Sequence, residues 1–385
     1  MRVARVSARG AARWSRGHPW IYKSDVIGAP GPEPGAVRVV DARGRFLGVA
    51  LWSPNSTISL RKLTGEDRLI DEAFWEERIE AAMRYRNAVV AGTSAYRLVH
   101  AEADGLPSLI VDVYGDILVT QFLSAGIEVF RAQIVEVLRR RFAPSGILAR
   151  NDVPVREHEG LPRTVEILWG RVPDVVEVSE GAVRYLAGLN NGQKTGAFLD
   201  QRENRLRAGE LARGRVLDCF AYHGSFALHL ARGAERVVAV DSSTEALARA
   251  KDNVALNGLE NVELVEANAF DFLREQEEAG AVYDLVVLDP PAFAKQRTAI
   301  ESALRGYKEI NLRAMRILAP GGYLCTFSCS YHVNTVLFRE MLESAAADAG
   351  RPLRWIEWRG QAADHPVIVQ IPETGYLKGA ILQAL

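Results

Sequence analysis

The stretch Leu285-Val286-Val287-Leu288-Asp289-Pro290-Pro291-Ala292-Phe293 decides the fold class of this chain. Its first four residues form a short, branched and uninterrupted apolar run, which is typical of a strand buried on both faces of a parallel sheet. Asp289 directly follows that run and therefore lies at the carboxyl end of the strand, where open α/β sheets bind ligands. The two prolines lack backbone donors and restrict φ, so we expect a stiff loop that presents Asp289 in one place. For this stretch alone, a strand-ending turn without further function is the alternative.

Strands and helices alternate around this stretch, from about residue 181 to the end of the chain. The predicted strands are Arg215 to Leu217, Val237 to Val240, Val262 to Val265, Leu285 to Leu288 and Gly322 to Phe327. The predicted helices are Phe226 to Arg232, Ser243 to Leu256, Phe270 to Glu278, Ile300 to Leu318 and Val336 to Ala347. This alternation predicts a Rossmann-like α/β fold with a mostly parallel sheet.

The turn after the first of these strands, Asp218 to Phe226, indicates the class of ligand. A dinucleotide pyrophosphate normally needs G-x-G-x-x-G, whereas this turn has one central glycine, Gly224, and a leading carboxylate, Asp218. A carboxylate at this point suits a cationic ligand such as S-adenosylmethionine. Asp241 ends the next strand, where an acid accepts both ribose hydroxyls, and Asn268 follows the third strand near the expected adenine edge. Helix capping is the alternative role for Asp218 and Asn268.

The three cysteines, Cys219, Cys325 and Cys329, have neither the even count nor the spacing of a disulfide framework or a zinc site. A reducing, cytoplasmic setting is therefore expected. Cys219 and Cys325 lie in or against apolar strands and are read as small buried hydrophobes. Cys329 follows the fifth strand, at the same sheet edge as Asp289, and is a candidate nucleophile.

Length and charge point to a modular chain. A chain of 385 residues is too long for a single hydrophobic core and suggests two or three domains. Its content of 48% hydrophobic and 25% charged residues is ordinary for a globular protein. No apolar run reaches the roughly 18 residues of a membrane span, and no signal peptide is expected. Residues 1–63 read as small and all-β and hold eleven Lys or Arg against three acids, 11 − 3 = +8. This excess of positive charge favours RNA as a partner. The alternatives are that the charges only solvate a small domain, that the segment is an organelle transit peptide, or that the basic side chains pair with acids elsewhere in the chain.

Over its whole length the chain resembles the 23S ribosomal RNA cytosine-5 methyltransferases of the RlmI/RlmO type, closest to the RlmO-like branch. The stretches that carry the resemblance are Arg97 to Pro107 (RLVHAEADGLP), Gly192 to Arg202 (GQKTGAFLDQR), Asp289 to Lys295, Thr326 to Ser330 and Pro372 to Lys378 (PETGYLK). The chain departs from the family at Pro107-Ser108, where Pro-Gly is common.

The resemblance implies three domains: a PUA-like RNA-binding domain in residues 1–68, a small α+β (RRM-like) domain in 69–180 and a class I S-adenosylmethionine-dependent methyltransferase domain in 181–385. It also implies that Phe198, Gln201 and Arg202 close over the cofactor, that 23S RNA or an assembling large subunit is the partner, and that the protein forms a homodimer. The predicted cofactor-binding residues are Phe198, Gln201, Arg202, Asp218, Phe220, Tyr222, Gly224, Asp241, Ser242, Asn268, Ala269 and Asp289.

The chemistry of cytosine gives a hypothesis for the two remaining roles. Cys329 would attack C6 and so make C5 nucleophilic, while Asp289 would orient the base. The sequence identifies neither the group that favours a Cys329 thiolate nor the base that removes the C5 proton. A guanine methyltransferase would not need Cys329, and a non-catalytic RNA-binding assembly factor would not bind S-adenosylmethionine; both remain alternatives.

Overall fold

The computed structural model describes residues 1–190, 192, 194–294 and 296–385, and the chain divides into two compact units. The first consists of Met1–Val178, Ala187–Leu199 and Ala363–Thr374, and the second of Ser179–Leu186, Asp200–Ala362 and Gly375–Leu385. Gln193 and Lys295, which belong to two of the family-like stretches, lie outside the described residues. The division into three domains at residues 68 and 180 stays a prediction.

A six-stranded sheet with the strand order β2-β6-β5-β4-β1-β3 forms the amino-terminal part of the first unit. Its strands are β1 Val3–Val6, β2 Trp20–Tyr22, β3 Val26–Gly28, β4 Gly35–Val40, β5 Phe46–Trp52 and β6 Ile58–Thr64. The expectation that this part is all-β is wrong at one place, because helix α1 spans Ala8–Ser15. Ser7 caps it by accepting the Gly10 amide at 3.1 Å, and Trp14 of the helix is buried. Its eight residues are fewer than the roughly 11 over which a helical period is read from sequence.

A five-stranded sheet with the order β11-β10-β9-β8-β7 completes the first unit. Its strands are β7 Ala95–His100, β8 Leu109–Tyr114, β9 Ile117–Phe122, β10 Gly146–Arg150 and β11 Val165–Gly170. The helices are α2 Glu72–Val89, α3 Ala125–Glu128, α4 Arg131–Phe142 and α5 Val155–His158. Val49 and Leu51 of β5 share a buried core with Trp75 of α2 and Phe122 of β9, so the two sheets pack as one unit.

A hairpin of β12 Val175–Glu180 and β13 Val183–Gly188 lies where the chain passes from the first unit to the second. The second unit contains a seven-stranded sheet with the order β16-β15-β14-β17-β18-β20-β19. Its strands are β14 Arg215–Cys219, β15 Arg236–Asp241, β16 Val262–Glu266, β17 Tyr283–Leu288, β18 Leu318–Ser328, β19 Leu353–Arg359 and β20 Lys378–Ala384. The helices are α6 Arg202–Leu211, α7 Ser225–Leu230, α8 Thr244–Leu256, α9 Ala269–Glu278, α10 Ile300–Arg316 and α11 Thr335–Ala349.

The strand directions confirm the predicted α/β class. Strands β14 to β18 pair in parallel, while β20 is antiparallel to both β18 and β19. Residues of α9, α10 and α11 contribute to one core of the second unit, and residues of α6 and α7 contribute to another. The strand order reverses between β14 and β17, so the crevice between their carboxyl ends is the expected ligand site. None of the helices in the described part of the chain has the length and apolar character that a membrane crossing would need.

Candidate active site

The register of the parallel strands brings the predicted residues to one edge of the sheet. Cys219 at the end of β14 pairs with Leu288 at the end of β17 and with Val240 near the end of β15. The residues that follow these strands therefore emerge side by side. Asp289 follows β17 directly, Asp241 is the last residue of β15, and Asp218 lies one residue before the end of β14.

The turn after β14 has an unusual backbone. Phe220 and Tyr222 have positive φ values of 65° and 51°, and Gly224 follows at 81°. Left-handed non-glycine residues are uncommon and cost about 1–3 kcal/mol each, so the surroundings must hold this turn in place. The Ala221 amide donates to the Val240 carbonyl at 3.0 Å, and the Tyr222 amide donates to Asp241 Oδ2 at 2.8 Å. The turn is thus fixed to the end of the neighbouring strand.

Asp218 is a buried carboxylate without a geometric hydrogen-bond partner. Its exposed fraction is 0%, and neither oxygen has a donor in hydrogen-bonding geometry within the described residues. Burial, followed by the nearby Asp289 carboxylate, raises the pKa of Asp218 well above its ordinary value; the Ala227 amide acts in the opposite direction. A fully buried acceptor group of this kind needs a donor or a cation to compensate for its lost hydration.

Asp241, the last residue of β15, and Asn268, two residues beyond β16, have different roles. The carboxylate of Asp241 accepts the Tyr222 amide on one oxygen and the Ser243 amide, at 2.9 Å, on the other. Each carboxylate oxygen has a further lone pair, so Asp241 can still accept two ligand hydroxyls. Asn268 caps α9 through its oxygen, which accepts the Phe270 amide at 2.9 Å, and only its amide group remains to donate. The capping alternative is therefore correct for Asn268.

The two predicted cofactor residues beside them differ in exposure. Ser242 follows Asp241 and is exposed, whereas Ala269 is buried in the first turn of α9. An aromatic cluster is formed by residues that follow strands β14, β16 and β17. The ring centroid of Phe293 is 6.5 Å from that of Phe220, 5.8 Å from that of Phe270 and 4.5 Å from that of Tyr307.

A chain of side-chain hydrogen bonds orients Asp289. Gln201 Nε2 donates to Asp289 Oδ1 at 2.7 Å, and Asn204 Nδ2 donates to Gln201 Oε1 at 2.6 Å. Arg359 Nε in turn donates to Asn204 Oδ1 at 2.9 Å. Gln201 and Asn204 are both buried, so their rotamers are restricted. The sequence singled out Gln201 through the resemblance, but nothing in the sequence pattern indicated Asn204 or Arg359.

Cys329 follows β18 directly and lies against the Asp289 loop. Its Sγ is 3.9 Å from the carbonyl oxygen of Pro290, and its side chain is half-buried, whereas Cys219 and Cys325 are fully buried. The next residue, Ser330, holds the loop of Asp289 in place because its Oγ accepts the Ala294 amide at 3.1 Å. The nucleophile candidate and the base-orienting candidate therefore lie on adjoining segments.

Lys378 at the start of β20 is a site residue that the sequence reasoning missed. Its Nζ donates to the carbonyl oxygen of Ser330 at 2.7 Å and to that of Tyr376 at 2.8 Å, and its side chain is buried. Lys378 ended one of the family-like stretches, but no spacing in the sequence linked it to Cys329.

Two further predicted residues, Arg202 and Phe198, have described contacts with residues close to them in sequence. Arg202 is buried at the start of α6, where its Nη2 is 3.4 Å from Glu203 Oε1. Phe198 belongs to the first unit, in which Lys194 Nζ is 4.5 Å from its ring centroid. Their roles in binding the cofactor stay predictions, as do the ligand contacts of the other residues.

The arrangement suits a cationic nucleoside. A buried carboxylate at Asp218 can compensate for an amino or sulfonium group, Asp241 can accept ribose hydroxyls, and the aromatic cluster around Phe293 offers apolar surface to a base. S-adenosylmethionine has all three of these features, so the residues present fit it. When bound, it supplies a methyl group on a sulfonium.

Comparisons with known proteins agree with this fit. A family model described as S-adenosylmethionine-dependent methyltransferase matches residues 97–371, and one described as a PUA-like domain matches residues 4–65. Similar curated proteins include the ribosomal RNA large subunit methyltransferase I of Shewanella amazonensis, 42% identical over 376 residues and 95% of each chain. The protein of that name from Vibrio cholerae is 41% identical over 381 residues and 96% of each chain. The placement nearest the RlmO-like branch stays a prediction.

Solved structures show the same fold. SMU.776, a methyltransferase complexed with SAH, has a TM-score of 0.86 at 22% identity, with 100% of both chains covered. A methyltransferase from Agrobacterium tumefaciens has a TM-score of 0.54 at 20% identity, covering 76% of this chain and 91% of that one. The predicted fold and the predicted cofactor are thus confirmed. The chain belongs to the family of S-adenosylmethionine-dependent methyltransferases that includes the ribosomal RNA large subunit methyltransferase I proteins.

Proposed function

We propose that this protein methylates C5 of a cytosine in 23S ribosomal RNA, with Cys329 as a covalent nucleophile and Asp289 as the residue that orients the base. The observation that carries the proposal is the position of Cys329 Sγ, 3.9 Å from the Pro290 carbonyl oxygen in the loop that holds Asp289. A half-buried thiol at the ligand-binding edge of the sheet is accessible to a substrate base. A guanine methyltransferase has no use for a thiol at this position.

The reaction follows from the weak nucleophilicity of cytosine C5. Cys329 Sγ forms a bond to C6, and the electron pair of the 5,6 double bond moves to C5 and the ring. C5 would then use that pair to bond the methyl group, whose bond to the sulfonium breaks with its electron pair left on sulfur as a neutral thioether. A base removes the C5 proton, its bonding pair restores the 5,6 double bond, and the C6–S bond breaks to return the thiolate. The target nucleotide must leave any base stack to reach the pocket.

Asp289 is suited to hold the cytosine during these steps. Its Oδ1 is fixed by Gln201, and the rigid prolines that follow limit its movement. A carboxylate accepts a hydrogen bond from the exocyclic amine of cytosine, and a protonated carboxyl group donates to N3. Donation to N3 stabilises the negative charge that develops on the ring after attack, and both contacts fix C6 near Cys329.

The RNA substrate is supported by the amino-terminal module and by the relatives. Residues 1–63 carry a formal charge of 11 − 3 = +8. Some of these charges form internal ion pairs, such as Arg61 with Glu159 at 2.8 Å, whereas Arg5, Arg16 and Arg43 are exposed. The curated relatives are named for the large ribosomal subunit RNA. An exposed basic surface of this kind binds phosphate backbones without reading their sequence.

The test is methyl transfer from labelled S-adenosylmethionine to protein-free 23S RNA, with the product identified by nucleoside mass spectrometry. Cys329→Ala is compared with Cys325→Ala, a matched control in the strand that precedes Cys329, whose sulfur is fully buried. We expect 5-methylcytidine from the wild type and the control, and none from Cys329→Ala. RNA with 5-fluorocytidine should trap a protein–RNA adduct that survives denaturation, because C5 then has no proton to lose. A methylated guanosine, or full activity of Cys329→Ala, would overturn the proposal.

A further inference from the structure

We propose that Lys378 is a positioning residue whose ammonium group holds Cys329 as a thiolate, ready for attack. The inference rests on the proposed function, because it assigns a role to a residue that acts through the Cys329 sulfur. It concerns the formation of the Cys329 thiolate, for which the sequence identified no group.

The geometry holds the ammonium group of Lys378 against the residue that follows the nucleophile. Lys378 in β20 is the cross-strand partner of Ser328 in β18, and Cys329 follows Ser328. The Nζ group donates to the carbonyl of Ser330 at 2.7 Å and to that of Tyr376 at 2.8 Å. An ammonium group has three donors, so these two bonds fix its position and leave one donor. The side chain is only 9% exposed, and water screens it weakly.

The electrostatics of Lys378 show that it interacts with Cys329. Burial lowers the pKa of Lys378 to about 8, and Cys329 acts against that shift by favouring the charged ammonium. Such coupling is mutual, since an anion that favours a nearby cation is favoured by it to the same extent. At neutral pH Lys378 is mostly protonated, and the interaction with a thiolate is therefore present when the enzyme works.

Other titratable groups face Cys329 from the neighbouring segments. Tyr307 of α10 lies near the sulfur; burial raises its pKa, and Cys329 does the same, so it stays neutral in the pH range of interest. Asp289 lies in the adjoining loop, and its negative charge would oppose a thiolate. Tyr376 donates to Asp200 Oδ2 at 2.6 Å and is thereby engaged with another carboxylate. Among these described groups, Lys378 is the one whose charge favours a thiolate.

A purely structural role is the competing explanation, because Lys378 also ties the Ser330 carbonyl to β20. The two roles differ in what they predict for the thiol. A structural tie that is lost loosens the site and changes the alkylation rate of Cys329 by a similar factor at every pH. Loss of an electrostatic partner moves the pH midpoint of alkylation, since only the thiolate reacts.

The experiment measures alkylation of the full-length protein by iodoacetamide between pH 5.5 and 9.5, with the modified cysteine located by peptide mass spectrometry. Cys219 and Cys325 are internal controls because both are fully buried. In the wild type we expect the Cys329 midpoint to lie below about 8.5, the ordinary value for cysteine. In Lys378→Met we expect the midpoint to rise by about 1 and the rate at pH 7 to fall about tenfold, because an adjacent opposite charge shifts a titration by that order. Lys378→Arg keeps the charge and should keep most of the wild-type midpoint.

An unchanged midpoint in a folded Lys378→Met variant, judged by its thermal unfolding, would overturn the inference. If that variant does not fold, the wild type alone still tests the inference. A Cys329 alkylation midpoint at or above that of free cysteine would contradict the inference. Alkylation needs neither RNA nor the cofactor. Failure of this inference is therefore distinguishable from failure of the proposed function, which would appear as methyl transfer by Cys329→Ala.

Discussion

Replacement of Asp218 by Asn tests the binding of the cofactor most directly. The substitution keeps the size of the side chain and removes a buried charge that has no geometric hydrogen-bond partner among the described residues. A hydrogen bond to a charged group contributes about 1.5–3 kcal/mol. If the Asp218 carboxylate pairs with the cationic part of S-adenosylmethionine, Asp218→Asn should weaken binding by about 10- to 150-fold, at about 1.4 kcal/mol per tenfold.

The same substitution should stabilise the protein in the absence of cofactor, with a defined dependence on pH. Burial and the neighbouring Asp289 raise the pKa of Asp218 in the folded protein. The folded state therefore binds a proton more tightly than the unfolded state, and the stability that this proton provides is lost as pH rises through the raised pKa. Asn does not titrate. The stability of Asp218→Asn relative to wild type should thus increase with pH. The affinity of the wild type for the cationic cofactor should also increase with pH, because deprotonation gives Asp218 its charge. The affinity of the variant should not change in this way.

Isothermal calorimetry with S-adenosylmethionine from pH 6 to 8.5, together with thermal unfolding with and without ligand, measures both effects. Asp252→Asn is the control, because that carboxylate is 60% exposed on α8. At a fixed, saturating concentration, the stabilisation by ligand should fall by the same 1.5–3 kcal/mol in the Asp218 variant, as an approximate range. Equal affinities of wild type and Asp218→Asn, or a wild-type affinity that does not change with pH, would refute the assignment of Asp218 to the cation.

Two further predictions concern groups that hold the site and the second unit together. Gln201→Ala removes a hydrogen-bond donor that lies 2.7 Å from Asp289 Oδ1. The kcat for RNA methylation should therefore fall by about 10- to 100-fold, with a smaller change in the KM for the cofactor. An unchanged kcat would contradict the orienting role of Gln201. Burial alone would raise the pKa of Glu180, but Arg205 and His229 lower it to about 2. Its stabilising effect is therefore present above the ordinary glutamate pKa of about 4.3 and is lost as pH falls towards 2. Glu180→Gln should lower the free energy of unfolding by about 3–5 kcal/mol at pH 7 and by much less at pH 3, and equal losses in urea unfolding at both pH values would refute this.

Local patterns were sufficient for the class of the second unit. The run Leu285 to Leu288 is fully buried in the centre of the parallel sheet, as its uninterrupted apolar character indicated. Strand ends are also readable, because a carboxylate cannot remain in such a run without cost, and Asp241 and Asp289 fall where the strands stop. Asp218 is the exception, since it lies within β14 and stays buried. The sequence pattern singled out Asp218 but ended this strand at Leu217, so it did not indicate that the carboxylate lies inside the strand and is fully buried.

Other features depended on partners distant in the chain. Helix α1 was missed because its eight residues are fewer than the roughly 11 over which a helical period is read. Its stability comes from the Ser7 cap and the burial of Trp14. The support of Asp289 involves Gln201, Asn204 and Arg359, which are far from it in sequence. Hydrogen bonds between such residues leave no periodicity, so propensity and spacing do not reveal them.

The sequence by itself determined the alternation of strands and helices, the buried character of the central strands, and the polar residues that end them, because each of these depends on short-range spacing and on the cost of burying polar groups. The tertiary structure decided which strand ends are neighbours, and therefore which side chains can act on one another. It placed Cys329 against the Asp289 loop, and it brought Lys378 from an antiparallel strand to the carbonyl that follows Cys329. Electrostatic and hydrogen-bonding effects depend on distance in space, and distance in space is set only when the strands pair.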